Sequence, residues 1–343
     1  MEMIKFNSDY MEGAHPAILK RLAEINLDKN PGYGHDQYCD SAREKIRKAC
    51  KAPNANVQFL VGGTQTNAIV IDALLSHNEG VISVESGHIN CHEAGAIEAC
   101  GHKIMSVEGK EGKLSAQTLA QYLKEFYSSG YGYEHIVVPK AAYISNPTEY
   151  GTIYSLTEMQ DLREVCDRYG LYLYMDGARL GYGLVAKDND LWLPDIARLC
   201  DAFYFGGTKI GALFGEAVVI TNPEIKLTLG YIKNRGALLA KGWLLGLQFD
   251  TLFTDELYLK ISKNAVDKAM RLRAALEEKG YPVYVESPTN QQFVVVENRK
   301  MLELKKNIGF NFNEAIGKDH SVIRFATSWA TTDEQIDELI KLL

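Results

Sequence analysis

Several features that define other classes of protein are missing from this sequence. It contains no apolar run of about 18 residues, the length that a membrane-spanning helix needs, and its first residues lack the basic-then-apolar pattern of a signal peptide. It also lacks an excess of positive charge: 37 Lys and Arg stand against 44 Asp and Glu, a formal net charge of −7, so no long-range attraction to polyanions is expected. We therefore predict a cytoplasmic protein that binds neither nucleic acid nor a membrane.

Cysteine motifs and the common nucleotide motifs are missing as well. The six cysteines form no C-x-x-C pair and no dense framework, so reduced thiols are expected rather than a disulfide scaffold. The glycine-rich segment GGTQTN (62–67) matches neither G-x-G-x-x-G nor the Walker pattern, which disfavours dinucleotides and nucleoside triphosphates as ligands. No internal repeat or low-complexity segment is present. The 343 residues suffice for one large domain and a smaller one.

Short β-rich runs alternate with helical patterns through the first two thirds of the chain. Strands are predicted at 57–61, 80–85, 102–107, 135–139, 141–145, 171–176, 202–206 and 216–221, and helices at 66–76, 115–127 and 157–169. Thr157 is the predicted N-cap of the last of these helices, and Gly170 its predicted end. Strands that are apolar nearly throughout and separated by helices indicate an α/β domain, whose mostly parallel sheet is covered on both faces.

The pattern changes after about residue 235. A long helical stretch at 237–281 is followed by predicted strands at 283–287, 291–297 and 322–328, a helical piece near 300–307 and a last helix from Thr332. This succession predicts a smaller α+β unit behind the large α/β domain. We divide the chain into an N-terminal arm (1–15), a large domain (16–248) and a small C-terminal domain (249–343).

The segment GGTQTN lies between a predicted strand and a predicted helix. A small glycine-rich turn that opens a helix leaves free backbone N–H groups at the positive end of the helix dipole, which suits a phosphate group. Thr64 and Thr66 could add hydroxyl donors. An ordinary strand-to-helix turn is an equally weighted interpretation of this segment alone.

Two charged residues follow buried strands. Asp176, in MDGAR (175–179), comes at the carboxyl end of a predicted parallel strand, where open α/β sheets bind ligands. Its buried carboxylate needs a partner, either a protonated ligand nitrogen or Arg179 in a purely structural pair. Lys209, in FGGTKIGA (205–212), is surrounded by small and apolar residues; such a lysine has a lowered pKa and can attack a carbonyl, although a surface loop is the commoner setting.

The segment SGHINCHEAGA (86–96) places His88 and His92 four residues apart. This is the spacing of a helical metal pair, but no third ligand is evident and Glu93 is expected to point elsewhere, so no metal site is predicted. An imidazole that stacks on a flat cofactor fits the segment equally well.

Together these segments describe a single ligand: a phosphate site, a carboxylate for a ring nitrogen, an aromatic stacking group and a lysine that attacks carbonyls match pyridoxal 5′-phosphate (PLP). The chain resembles the threonine aldolases of the β-eliminating lyase group. The resemblance runs through these segments and through FNSDY (6–10), GYGHD (32–36), ISNPTEYGT (144–152), RGALLAKGWLLG (235–246) and IRFATSW (323–329). It implies the PLP-dependent transferase fold type I, which has a mostly parallel seven-stranded sheet and a small C-terminal α+β domain.

The resemblance also assigns roles to residues of this chain. It makes Lys209 the lysine that carries PLP, Asp176 the partner of the ring nitrogen and His88 the group that stacks on the ring. The phosphate would be held by Gly63, Thr64 and Gln65, and Arg179 would lie at a ring oxygen or the carboxylate region. Ser8 and Arg324 would bind the substrate α-carboxylate, and Lys241 and Tyr33 would reach the site of a neighbouring subunit. A planar guanidinium suits a carboxylate because it binds both oxygens. Many relatives have a histidine where this chain has Glu149, so either His88 or Glu149 is expected to take the proton of the substrate hydroxyl.

The activity implied is the PLP-dependent cleavage of L-threonine or L-allo-threonine to glycine and acetaldehyde. The alternatives are another PLP-dependent β-eliminating lyase and a catalytically silent PLP-binding protein. The resemblance also implies a homodimer or homotetramer with shared active sites. The segment RGALLAKGWLLGLQF (235–249) is too apolar for the surface of a monomer, unless it is buried in its own chain with only Lys241 reaching solvent.

Overall fold

The computed structural model describes residues 3–128 and 135–343, which contain twelve strands and fourteen helices. In chain order these are β1 (Ile4–Lys5), α1 (Pro16–Glu24), α2 (Gln37–Ala49), β2 (Asn56–Leu60), α3 (Gly63–Leu74), β3 (Glu79–Val84), α4 (His88–Cys91), α5 (Ala96–Ala99), β4 (Lys103–Val107), α6 (Ala116–Ser128), β5 (Val138–Ser145), α7 (Leu156–Tyr169), β6 (Tyr172–Asp176), α8 (Leu180–Leu184), α9 (Leu193–Leu199), β7 (Ala202–Gly206), β8 (Glu216–Ile220), α10 (Leu229–Asn234), α11 (Trp243–Leu252), α12 (Leu257–Glu278), β9 (Gln291–Glu297), α13 (Asn298–Leu304), β10 (Ile308–Gly309), β11 (Asn311–Ile316), β12 (His320–Ala326) and α14 (Asp333–Leu342). None of the described helices has both the length and the apolar character needed to cross a membrane.

A seven-stranded sheet with the order β2-β8-β7-β6-β5-β3-β4 forms the centre of the fold. Strands β4, β3, β5, β6 and β7 run parallel, whereas β8 is antiparallel to both of its neighbours. The mostly parallel sheet is therefore confirmed, and the runs at 135–139 and 141–145, predicted as two strands, contribute the single strand β5. The segments that follow the parallel strands meet at one edge of the sheet, which is where such sheets bind ligands.

Both faces of this sheet are buried. Alternate residues of β7 belong to two separate apolar clusters, Phe203 and Phe205 to one and Ala202 and Tyr204 to the other. Successive side chains of a strand point to opposite faces, so each cluster covers one face of the sheet. This arrangement explains why the central strands are apolar nearly throughout rather than alternating.

The helix predicted at 157–169 begins slightly earlier than expected. Its N-cap is Ser155 and not Thr157, because the Ser155 hydroxyl accepts from the Glu158 amide and the Glu158 carboxylate accepts from the Ser155 amide. This reciprocal capping provides acceptors for two backbone amide groups that a cap at Thr157 would leave without a hydrogen bond. Gly170 ends the helix in the left-handed conformation (φ 66°), as predicted.

The C-terminal part differs from the prediction in two places. The stretch 237–281 is not one helix: residues 237–242 are non-helical, and α11 and α12 are separated at Asp255 and Glu256, which both have positive φ. The segment 283–287 is not a strand, since only Val283 forms a bridge, to Val294. Strands β9, β11 and β12 make an antiparallel sheet of order β11-β12-β9, and α12 packs against both this sheet and α14. Strand β10 pairs in parallel with β1 of the N-terminal segment in a separate two-stranded sheet.

The apolar segment around α11 is buried within its own chain. Leu247 and Phe249 are fully buried, and the helix packs against α1 and α2. The alternative interpretation of this segment therefore holds for the helix, while Lys241 is exposed on the turn before it. The division into three domains remains a proposal, and its boundary after residue 248 would lie inside α11.

The ends of β6 and β7 approach each other very closely. The Gly206 amide donates to the Gly177 carbonyl at 2.9 Å, and a Cβ atom added to Gly177 would lie 1.8 Å from the Tyr204 carbonyl oxygen. A Cβ atom on Gly206 would likewise lie 2.1 Å from the Ala178 carbonyl oxygen. The two glycines therefore allow the segments that carry Asp176 and Lys209 to pack side by side.

We expect Gly177→Ala to destabilise the protein by about 1–3 kcal/mol or more, because the methyl group can fit only if the backbone of β7 moves. Denaturant unfolding measures the change in the free energy of unfolding. The matched control is Gly13→Ala, since a Cβ atom there meets nothing within 4 Å. A Gly177→Ala protein as stable as the Gly13→Ala protein would contradict this account of the sheet edge.

Candidate active site

A cavity of about 300 Å³ lies at the carboxyl edge of the large sheet. Residues at or just after the ends of five different strands line it, among them Gly63, His88, Glu149, Asp176 and Lys209. The structure thus brings together residues that are far apart in the sequence. Each is placed by the end of a buried strand, so the sheet itself sets their relative positions.

The Asp176 carboxylate, at the end of β6, accepts four hydrogen bonds. Its Oδ1 accepts from the Tyr204 hydroxyl at 2.6 Å and the Ala178 amide at 2.9 Å, and its Oδ2 accepts from the Tyr143 hydroxyl at 2.7 Å and the Asn67 amide at 2.9 Å. The side-chain donors come from the strands on either side of β6 and from α3, and the Ala178 amide lies just after β6 itself. A carboxylate held by this many donors has a fixed position and orientation.

This environment keeps Asp176 ionised although the residue is almost completely buried, with only 4% of its surface exposed. Burial alone would raise the pKa of the carboxyl, but the nearby His88 and the hydrogen bonds from Tyr204 and Asn67 outweigh it, and the pKa lies below its ordinary value. A buried anion that lines a cavity is suited to a protonated nitrogen of a ligand.

Lys209 lies on the turn between β7 and β8 and is half-buried at the cavity wall. Burial lowers the pKa of its ammonium group, and the nearby Arg179 cation lowers it further. The Tyr182 hydroxyl donates to the Lys209 carbonyl at 2.6 Å and fixes the backbone there. The ε-amino group is therefore more readily neutral than that of a surface lysine, as a nucleophile requires.

The turn before α3 is open at the cavity. Gly62 is the N-cap residue and offers no side chain, and Gly62, Gly63 and Thr64 all line the cavity. The first amide groups of this twelve-residue helix therefore lie beside the cavity, where they suit an anion. Gln65 lies differently: its side-chain oxygen accepts from the Val61 amide at 3.2 Å, and Gln65 is not among the lining residues. Thr66, a second hydroxyl considered for this site, is fully buried.

His88 is held by Glu93, and the expectation that Glu93 points elsewhere is wrong. The His88 Nδ1 atom lies 2.7 Å from Glu93 Oε1, which also accepts from the Asn67 amide at 2.6 Å. Because Asn67 also donates to Asp176, a continuous chain of contacts joins the imidazole to that carboxylate. The His92 ring, one turn along, lies tilted against the His88 ring at a centroid distance of 5.5 Å.

Glu149 contributes another carboxyl group to the cavity wall, just after the end of β5. Its Oε1 accepts from the Ser145 hydroxyl at 2.8 Å and the His88 amide at 2.9 Å. Its Oε2 is buried and has no hydrogen-bond partner among the described residues. Burial raises the pKa of this carboxyl above its ordinary value, so Glu149 exchanges its proton closer to neutral pH than a surface glutamate does.

Arg179 pairs with Asp9 and not with Asp176. Its Nε and Nη2 atoms donate to the two oxygens of Asp9 at 2.7 and 3.0 Å, and Asn290 donates to the same carboxylate at 2.8 Å. Burial opposes the charge on Asp9, but Arg179 and Lys209 lower its pKa to about 2. The structural Asp176–Arg179 pair, one of the two interpretations of MDGAR, is therefore not what this chain forms.

Ser8 and Arg324 lie beside the cavity rather than in its lining. Arg324 Nη1 donates to Gln291 at 2.9 Å and Nη2 to the Asn7 carbonyl at 3.2 Å. Among the described residues, Ser8 Oγ and Arg324 Nε are buried without a partner. Burial, together with the neighbouring Arg179, lowers the pKa of Arg324 to about 10, so an anion placed here would be stabilised.

Tyr33 and Lys241 are not part of this cavity. Tyr33 is 40% exposed, adopts a positive φ of 60° and has the Lys233 ammonium 4.3 Å from its ring centroid. Lys241 is exposed. Within one chain the structure therefore does not bring these two residues to the cavity.

The residues of the cavity fit PLP. The ionised Asp176 suits the protonated ring nitrogen, the side-chain-free turn at Gly62 and Gly63 suits the phosphate, and Lys209 suits the aldehyde. The His88 imidazole lies in the same cavity, where a ring would stack. In the part of the chain that the structure describes, no three His, Cys, Asp or Glu side chains group as metal ligands would.

Sequence reasoning missed several residues that hold the site together. These are Asp9, Asn67, Glu93, Tyr143, Tyr204 and Glu216. Some signal was present: Asn67 and Glu93 belong to segments already selected, and Glu216 is an isolated charge at the start of an apolar strand. The two tyrosines gave little signal, because a tyrosine in a buried strand is equally compatible with simple packing.

Comparison with known proteins places these observations in a family. The model of the beta-eliminating lyase family matches residues 5–299. A low specificity L-threonine aldolase of Pseudomonas aeruginosa is 28% identical over 345 residues, covering 98% of this chain and 96% of the relative. A solved threonine aldolase of Leishmania major is 41% identical with a TM-score of 0.95, covering 98% of both chains. A mutant aspartate aminotransferase of Thermus thermophilus, 12% identical with a TM-score of 0.72 over 99% of this chain and 91% of its own, shares the fold.

Proposed function

The chain belongs to the beta-eliminating lyase family, and on this premise we propose that it cleaves L-threonine and L-allo-threonine to glycine and acetaldehyde with PLP as cofactor. The observation that carries the proposal is the pair of Asp176 and Lys209 in one cavity, next to the anion-binding groups of Ser8 and Arg324. The threonine aldolases of Pseudomonas aeruginosa and Leishmania major, which match over nearly the whole chain, support it.

Cofactor binding in this proposal uses the residues that the cavity presents. Asp176 would hold the protonated ring nitrogen, Lys209 would bind the aldehyde group, and the amide groups at Gly63 and Thr64 would hold the phosphate. His88, oriented by Glu93, stacks on the ring. Bound PLP supplies an electron sink for the bond that is cleaved.

Arg324 and Ser8 bind the substrate α-carboxylate. Arg324 Nε and Ser8 Oγ are the buried polar groups without a partner, and a carboxylate would accept from both. Nε and Nη2 of Arg179 remain bound to Asp9. Arg179 therefore contributes positive charge and orientation to the carboxylate site, and it does not bind the carboxylate with its whole guanidinium group. Fixing the carboxylate selects which bond of the α-carbon is aligned for cleavage.

Glu149 takes the proton of the substrate β-hydroxyl. Its Oε2 atom has no partner among the described residues, lies in the cavity wall and belongs to a carboxyl whose pKa is raised toward neutral pH by burial. Its other oxygen is fixed by Ser145 and the His88 amide, so the free oxygen has a defined direction. His88 is the second candidate, but its Nδ1 is bound to Glu93.

Two subunits complete each site, in a cytoplasmic homotetramer built as a dimer of dimers. Tyr33 and Lys241 lie outside the cavity of their own chain, which supports a role in the site of a neighbour. Even-numbered closed assemblies are common among soluble proteins. Lys241 would then offer its charge to the phosphate of the neighbour's cofactor, and Tyr33 its hydroxyl.

The purified protein should be yellow and should release acetaldehyde from L-threonine or L-allo-threonine, with glycine as the second product. Borohydride should attach the cofactor to the peptide that contains Lys209, and Lys209→Ala should abolish turnover because the attacking amine is gone. D-threonine serves as the stereochemical control. Ammonia and a keto acid in place of acetaldehyde would identify a different PLP-dependent lyase, and labelling of another lysine would refute the role of Lys209.

Glu149→Gln should lower the rate of threonine cleavage by about 10²-fold or more, since a positioned base contributes roughly that much. The wild-type rate should rise as the pH passes the raised pKa of Glu149, because only the ionised carboxylate accepts a proton. This rise should be missing from the pH–rate profile of the variant. His88→Asn is the matched control: it should weaken PLP binding more than it changes the pH profile. A pH limb that survives in Glu149→Gln but is lost in His88→Asn would assign the base to His88.

Mixing inactive Lys209→Ala subunits with inactive Lys241→Ala subunits should restore activity, because half of the sites in the mixed dimer would be complete. Chain exchange is verified by mass tags, and Lys209→Ala subunits mixed with themselves provide the baseline. Exchange without recovered activity, or a fully active monomer by light scattering, would show that each site belongs to one chain.

A further inference from the structure

Asn67 is a fully buried side chain of α3 that contacts two acidic side chains at once. Its Nδ2 atom donates to Asp176 Oδ2 at 2.9 Å and to Glu93 Oε1 at 2.6 Å. A side-chain amide nitrogen carries two hydrogens, so each carboxyl group receives one of them. A single nitrogen atom therefore holds both acidic side chains.

The orientation of this amide is fixed from its other end. The Tyr174 hydroxyl, from β6, donates to Asn67 Oδ1 at 2.9 Å. A reversed amide would turn its oxygen toward the acceptor oxygens of Asp176 and Glu93, which would repel it. Only the observed orientation places a donor against both carboxyl groups.

The two carboxyl groups are close neighbours in a part of the protein that excludes water. Their oxygens are no farther apart than the sum of the two distances from Asn67 Nδ2, and both Asp176 and Glu93 are buried. Two carboxyl groups this close raise each other's proton affinity, whereas a hydrogen bond donated to the charged form lowers it. The amide between them therefore lowers the proton affinity of both groups at once.

Each of the two carboxyl groups also faces a place for a nitrogen of an aromatic ring. Glu93 Oε1 lies 2.7 Å from Nδ1 of His88, the imidazole that lines the cavity. Asp176 lines the same cavity, where the proposed function places the ring nitrogen of PLP. Asn67 is thus one contact away from the partner of the cofactor ring and one contact away from the partner of the imidazole.

The helix that carries Asn67 also begins at the cavity. Gly63 and Thr64 lie in its first turn and line the cavity, and Asn67 follows Gly63 by four residues, which places the two on one side of the helix. Val70 and Ile71, in the next turn, are fully buried and anchor the helix. The open turn for the phosphate and the amide that holds the two carboxyl groups therefore belong to one rigid element.

We propose that Asn67 is a positioning residue that holds Asp176 for the ring nitrogen of PLP and Glu93 for the His88 imidazole, and that it keeps the proton of each pair on nitrogen. A carboxylate that already accepts a hydrogen bond attracts a further proton less strongly, so the proton stays on the nitrogen that faces it. This inference rests on the proposed function, since it requires PLP to bind with its ring nitrogen at Asp176.

The test follows two nitrogen signals of the holoenzyme. Solid-state nitrogen-15 NMR, with PLP labelled at its ring nitrogen and with labelled histidine, shows whether each nitrogen carries a proton. His88→Asn identifies the imidazole signal by its loss. In the wild-type protein we expect the ring nitrogen and the Nδ1 atom of His88 both to be protonated.

Asn67→Leu keeps the branched shape of the side chain and removes both N–H groups. We expect both nitrogen signals to shift toward the unprotonated form, because both carboxyl groups lose a donor and attract the proton more strongly. Tyr174→Phe leaves the amide in place but frees its other end, so it should shift both signals in the same direction by a smaller amount. This second variant carries the test if Asn67→Leu folds poorly or does not retain PLP.

Tyr143→Phe is the matched control. It removes another buried donor to the same oxygen of Asp176, since the Tyr143 hydroxyl donates to Oδ2 at 2.7 Å, but it leaves the contact between Asn67 and Glu93 intact. We therefore expect it to shift the signal of the ring nitrogen and to leave the His88 signal unchanged.

The outcomes separate this proposal from the proposed function. A wild-type protein that cleaves threonine, but whose two signals stay unchanged in Asn67→Leu and Tyr174→Phe, overturns the role of Asn67 alone, even if these variants are less stable. A shift of one signal without the other, or an unprotonated ring nitrogen in the wild type, does the same. A wild-type protein that binds no PLP or releases no acetaldehyde contradicts the proposed function itself.

Discussion

The ionised state of Asp176 is the constraint on which the rest of the site depends. A carboxylate so deeply buried is stable as an anion only if donors surround it, and here β5, β7 and α3 each supply one side chain. From Asn67 the contacts continue through Glu93 to His88. One buried charge thereby fixes the strand ends on both sides of β6, the start of a helix and the imidazole that lines the cavity.

The parts of the site that could be predicted from the sequence are those encoded in short segments. Lys209 and Asp176 follow apolar strands directly, and the turn at Gly63 opens a helix, so strand and helix patterns were enough to select them. The partners could not be predicted, because they depend on the order of strands in the sheet. Tyr143 and Tyr204 reach Asp176 only because β5 and β7 are the neighbours of β6.

The errors in the prediction have equally local causes. Glu93 was expected to point elsewhere. In the structure α4 ends at Cys91 and Ala94 has a positive φ, so Glu93 does not continue a regular helix from His88. The long helical stretch after residue 235 is interrupted at Asp255 and Glu256, where positive φ values end one helix before the next begins. Helical periodicity continues across such breaks, so hydrophobic patterning alone cannot locate them.

The N-terminal segment has a consequence for the order in which the chain acquires its site during synthesis. Asp9 is held by Arg179 and by Asn290, and the Asn7 carbonyl accepts from Arg324. A nascent chain emerging from the ribosome carries Lys209 and Asp176 long before Asn290 and Arg324 have been made. The segments around Asp176 and Lys209 can therefore come together during translation, while the contacts that hold Asn7 and Asp9 are complete only after Asn290 and Arg324 have been synthesised.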